Sequence, residues 1–149
     1  MNISDVNGLE ATGFVIRTTN ADEVNPSTAK IGELWAKFYT NAAPKLNEKS
    51  KVFGIYTNYE SDFRGAFDVI ACSDTLSPEI LPDSVKINVT SGKYVTFSAS
   101  GEMPQAVIDL WGEVWTYFNS EYCLYQRAYT TDFEYYKSAH EVEIFIAVR

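Results

Sequence analysis

The feature that most constrains this chain is a long internal repeat. Ile31, Leu34-Trp35 and Thr40 recur as Val107, Leu110-Trp111 and Thr116, a shift of roughly 76 positions. Matching pieces follow each Leu-Trp pair. Tyr56-Thr57 corresponds to Tyr129-Thr130, and Tyr59-Glu60 to Phe133-Glu134. Phe67-Asp68-Val69-Ile70-Ala71 corresponds to Val142-Glu143-Ile144-Phe145-Ile146. Upstream, FVIRTT and YVTFSA lead in. A period this long is a duplication within one domain, not a solenoid of short units. The unit reads strand, helix, strand, strand, over about residues 10–73 and 84–149, with the Pro78 and Pro82 stretch 74–83 as linker.

Periodicity assigns the elements. Ile31, Leu34, Trp35 and Phe38 fall at i, i+3, i+4 and i+7 of a helix that follows Pro26, with Ser27 or Asn25 as its cap. Val107, Leu110, Trp111, Val114 and Trp115 stripe a second helix, and Pro104 suits its first turn. Strands are expected over 13–19, 52–57, 65–72, 85–89, 94–99, 126–136 and 141–148, separated by turn-forming residues. Each helix has one apolar stripe and must cover a sheet. The expected fold class is therefore α+β: duplicated β-α-β-β units forming one curved antiparallel sheet, with two helices on one face and a ligand groove on the other.

Composition narrows the function. Twelve basic against twenty acidic residues give a net charge of −8. This argues against direct contact with nucleic acid, whose phosphates need a basic footprint, and against an anionic membrane surface. Two distant cysteines, Cys72 and Cys123, and the lone His140 make no metal set and no nucleophile pair. No cofactor, metal or catalytic residue is expected, and free thiols suit a reducing cytoplasm. The N-terminus has neither the basic start nor the apolar run of a secretory signal. Aromatic residues make up 15% of the chain, which suits a pocket or an interface as well as an aromatic core.

Two glutamates stand inside the most aromatic strands. On the last strand Val142, Ile144, Ile146 and Val148 share one face, and Glu141, Glu143, Phe145 and Ala147 the other. The aliphatic set belongs under the helices, so Glu143 should face the groove. Glu134 alternates with Phe133 and Tyr135 and is expected to share that groove. Asp132 and Glu141 are expected at the rim or surface, and His140 at the surface. A carboxylate among rings suits a cationic, aromatic or amphipathic small molecule, because rings stack, aromatic faces attract the cation and the acid neutralises it. The candidate ligand-binding residues are Glu134, Glu143, Phe145, Tyr136, Tyr56, Tyr59, Asp68 and Trp111, with the Leu-Trp helices otherwise read as core.

The pieces GIYTNYESDFRGAFDV, RAYTTDFEYY and VEIFIAV, with the Leu-Trp second helix, resemble the GyrI-like effector-binding domains of AraC-type and MerR-type multidrug-sensing regulators. The resemblance covers about residues 10–149. It implies a duplicated β-α-β-β fold and a central groove for amphipathic, often cationic compounds, with Glu134 and Glu143 at the positions of the family's acidic residues. Phe145 stands where a tyrosine is common, which removes one hydroxyl handle. The chain starts almost at its first strand, so no helix-turn-helix is expected and direct transcriptional regulation is not. Two alternatives remain open: a small-molecule hydrolase using the pocket glutamates, and a gyrase-interacting or inhibitory protein. A homodimer and a protein partner also stay open.

Overall fold

The computed structural model describes all residues, 1–149. Eight strands run β1 (Asn2–Val6), β2 (Leu9–Thr18), β3 (Val52–Thr57), β4 (Phe67–Ser73), β5 (Val85–Val89), β6 (Gly92–Ser100), β7 (Arg127–Ser138) and β8 (Glu141–Val148). The helices are the single turn α1 (Asn20–Glu23), α2 (Ile31–Asn41) and α3 (Gln105–Phe118). All strands join one antiparallel sheet in the order β1-β6-β8-β7-β3-β4-β2-β5. That order is symmetric about the β7–β3 pair: β6-α3-β7-β8 mirrors β2-α2-β3-β4, and each unit's outer strand takes its flank from the other half of the chain.

The sheet must curl. Only Asn7 and Gly8 join β1 to β2, and only Thr90 and Ser91 join β5 to β6. In each case the two joined strands belong to opposite ends of the strand order. The ends therefore approach one another, with Gly8 so close to Val89 that a Cβ would stand 3.0 Å from its carbonyl oxygen. Gly13 allows the tight approach inside β2, where a Cβ would collide with the backbone of Ala71 and Cys72.

Directly opposed residues share a face of the sheet. Ile16, Val69, Tyr56, Asp132, Ile146 and Val95 form one such row. This face carries both helices. Leu34 and Phe38 of α2 pack with Phe14, Phe67 and Val69, while Val107, Leu110 and Val114 of α3 pack with Val95, Ile144 and Ile146. The other face has no helix, yet Phe53, Ile55, Ile70, Tyr94 and Phe133 are buried on it. The curl accounts for this, because Ala11 and Val89 from the ends of the sheet close over the middle.

Several boundaries differ from expectation. β1 is additional, a short edge strand whose Ser4 and Asp5 hide the alternation. α1 is additional too. Glu23 at its end, not Ser27 or Asn25, caps α2, accepting from the amides of Lys30 (2.9 Å) and Ile31 (3.2 Å). The 74–83 segment does more than connect: Leu76 and Leu81 are buried in the α2 core. His140 is exposed, as expected.

Candidate functional site

The two central strands, β3 and β7, place the site. α2 packs on β2 and β4, and α3 on β6 and β8. Large side chains, rather than helix backbone, fill the space above the β3–β7 junction. Glu134 lies there, opposite Gly54 of β3 and Ile144 of β8, and is only 3% exposed. Its carboxylate accepts three hydrogen bonds: from Trp111 Nε1 at 2.7 Å, Tyr136 Oη at 2.8 Å and Tyr56 Oη at 3.0 Å. Trp35 of α2 stacks edge-on to Tyr136 (5.3 Å), and Trp111 of α3 edge-on to Tyr56 (5.2 Å). The repeated tryptophans thus meet over one acid. Gly54 completes the nest, since a Cβ there would come within 2.5 Å of Glu134 Oε1.

Every donor to Glu134 is neutral, and no ion pair reaches it. Burial pushes its pKa above the ordinary carboxylate value, and the bonds from Trp111, Tyr136 and Tyr56 hold the rise back. Tyr56 and Tyr136 are pushed well above the ordinary phenol value, by burial first and by the Glu134 charge second, so both remain donors.

Asp132, two residues away on the same face, is treated differently. It is fully buried, correcting the expectation of a rim position. Arg127 Nη2 pairs with it at 2.8 Å, Tyr59 Oη donates at 2.6 Å and the Ala147 amide at 2.9 Å. Burial opposes the Arg127 charge, but Asp132 more than offsets this and holds the Arg127 pKa above its ordinary value. Tyr129 at φ 53° and the register shift between Arg127 and Asp132 form the bulge that folds the arginine back onto its own strand.

The structure therefore gathers Glu134, Tyr56, Tyr136 and Trp111, and places Tyr59 next to them on Asp132. It separates the rest. Glu143 lies opposite Tyr135, not Glu134, so it faces away from the helices, half-buried, with Ser98 Oγ at 3.3 Å. Phe145 stacks on Phe133 at 4.5 Å within the closed helix-free core. Asp68 is on that side too, at the rim, held by Arg17 (3.0 Å) and Asn58 (2.8 Å). The shared groove expected for Glu134 and Glu143 is thus corrected: the register sets the two on opposite faces, with Glu134 on the face that carries the helices. Trp35, Gly54, Asp132 and Arg127 were not singled out for the site. A glycine inside a β-rich strand was the available signal for Gly54.

Residues 2–148 match the model of the integron-associated effector binding proteins (Cass2), and the chain belongs to that family. An integron cassette protein from the mobile metagenome of Vibrio cholerae is 76% identical and superposes with a TM-score of 0.96, over 99% of this chain and 95% of that one. A Bacillus subtilis relative, YobU, described as a transcriptional regulator protein, is 24% identical over 92% of this chain and 90% of its own length. SAV2435, solved bound to tetraphenylphosphonium, shares the fold at 21% identity and a TM-score of 0.74, over 99% of this chain and 93% of its own. No helix here is long and apolar enough to cross a membrane.

Proposed function

We propose that this protein binds cationic, aromatic or amphipathic small molecules between α2 and α3, with Glu134 as the charge partner. The observation that carries the reading is the contrast on β7: Asp132 has a buried cation, and Glu134 has only neutral donors. A buried carboxylate without a counter-ion costs desolvation energy that a ligand cation offsets. Trp35, Trp111, Tyr56 and Tyr136 offer ring faces for stacking and cation–π contact. Binding of tetraphenylphosphonium by SAV2435, which has the same fold, is consistent with this chemistry.

Glu134 is covered in the free protein, so binding requires an open form. The roof consists of side chains, and rotation of the Trp35 and Trp111 indoles opens it while leaving the sheet intact. A ligand drives this opening only through its higher affinity for the open form. A thermal-shift panel tests the reading with rhodamine 6G, tetraphenylphosphonium and neutral ring compounds of similar size. Cations raise Tm progressively, with the logarithm of concentration above Kd, by mass action, and neutral analogues do so far less. Equal shifts for both sets would remove the electrostatic part of the proposal.

A further inference from the structure

A second recess lies beyond the Glu134 nest, with a volume of about 480 Å³. That is within the usual range for small-molecule sites. The end of α3, the β3–β4 loop and the bulged start of β7 border it. Phe63 of the loop meets Trp115 of α3 edge-on at 5.4 Å, and Phe118 and Tyr129 add further ring surface. None of Glu134, Tyr56, Tyr136, Trp35 or Trp111 lines it.

Its charge is opposite to that of the nest. Arg127 lines the recess, held in place by Asp132 through Nη2 and by the ring faces of Tyr129 (4.5 Å) and Trp115 (5.8 Å). Its side chain is 8% exposed, and its Nε is buried with no hydrogen-bond partner. A buried donor without an acceptor is uncommon and costly. Arg149 also lines the recess and has no carboxylate in ion-pair range. The one acidic side chain there, Asp62, is engaged by Arg64 at 2.6 Å. Ring walls, a guanidinium held by Asp132 through Nη2 alone and a second arginine without an ion-pair partner are together the recognition elements for a flat organic anion.

We infer that this recess is a second binding site, selective for small planar aromatic carboxylates. The ring lies against Trp115 and Phe63, and the carboxylate takes donors from Arg127 and Arg149. The carboxylate approaches the Nη1 side of Arg127, while Nη2 stays on Asp132.

The test is calorimetric titration of the full chain with three ligands of one ring system, 1-naphthoate, 1-naphthalenemethanol and 1-naphthylmethylammonium, the ammonium being titrated into Glu134→Gln so that the nest does not hold it. The expected order is naphthoate tightest, by about tenfold or more over the alcohol, the scale of one charge-assisted hydrogen bond. Arg149→Gln weakens naphthoate several-fold without changing the alcohol, and Phe63→Ala weakens both. Both side chains are at least partly exposed, so these variants keep the fold. Glu134→Gln leaves naphthoate binding unchanged, which separates this site from the nest: either can fail alone. No naphthoate heat at millimolar ligand, equal affinity for the three compounds, or loss of naphthoate binding in Glu134→Gln overturns the inference.

Discussion

Gly54→Ala tests whether Glu134 is held as rigidly as the geometry implies. Gly54 is directly across from Glu134 on the helix side, and its φ lies outside the left-handed region, so alanine meets no backbone penalty. The added methyl would lie 2.5 Å from Glu134 Oε1 and 3.1 Å from Trp35 Cζ2. Ordinary contact needs about 3.4 Å, so the carboxylate must retreat by roughly 1 Å. It is fixed at that moment by Trp111, Tyr136 and Tyr56. Such a shift breaks or stretches at least one charge-assisted bond, at about 1.5–3 kcal/mol each. The smaller entropy of an unfolded alanine offsets about 0.5–1 kcal/mol of this. The net expectation is a loss of about 1–2 kcal/mol at neutral pH, together with weaker cation binding. Urea unfolding reads the loss as a lower midpoint at unchanged slope. Gly32→Ala and Gly112→Ala are the controls: both glycines are helical, with nothing within 4 Å of a built Cβ, and both should gain about 0.5–1 kcal/mol. If Gly54→Ala behaved like these controls, the carboxylate would not be pinned and the reasoning would be wrong.

Two further outcomes follow from the same pair of acids. Arg127→Met leaves Asp132 buried without its cation and should cost about 3–5 kcal/mol, read by chemical denaturation; a change under 1 kcal/mol would mean that Asp132 finds other compensation. Glu134 also gives a signed pH dependence. Its folded pKa is raised, so the native state binds more protons than the unfolded chain between the ordinary glutamate pKa and the raised one. Its contribution is full below that window and falls as pH climbs through it. The difference in unfolding free energy between wild type and Glu134→Gln should therefore shift toward Glu134→Gln as pH rises across the window, and a flat difference would contradict the shift.

Much of this fold was legible because the repeat is carried by large apolar residues. Leu34-Trp35 and Leu110-Trp111 fix two helices, and the alternation in 52–57 and 141–148 fixes strands to the residue. Four of the candidate residues converge for the same reason: Tyr56, Tyr136 and Trp111 all bond Glu134. What alternation cannot supply is register between neighbouring strands. It sorts Glu134 from Phe133, and Glu143 from Ile144, but not Glu134 relative to Glu143. The pairing of Glu134 with Ile144 decides that, and it reverses the expected face. Asp132 was expected at the rim, not buried, because its partner Arg127 reaches it only through a bulge, which no period-two pattern records. The closed helix-free face was hidden as well, since it depends on the short β1–β2 and β5–β6 links that force the sheet ends together.

The central claim is that Glu134 recognises positive charge. Its most direct measurement is calorimetric binding of tetraphenylphosphonium and the neutral triphenylphosphine oxide to wild type and Glu134→Gln at pH 7.5. Gln keeps the size of Glu134 and an acceptor for the Trp111 and Tyr56 donors, so the nest survives. The account predicts that Glu134→Gln weakens the cation by about 2–5 kcal/mol, at least thirtyfold, and changes the oxide little. Equal weakening of both ligands, or cation affinity undiminished in Glu134→Gln, would contradict it.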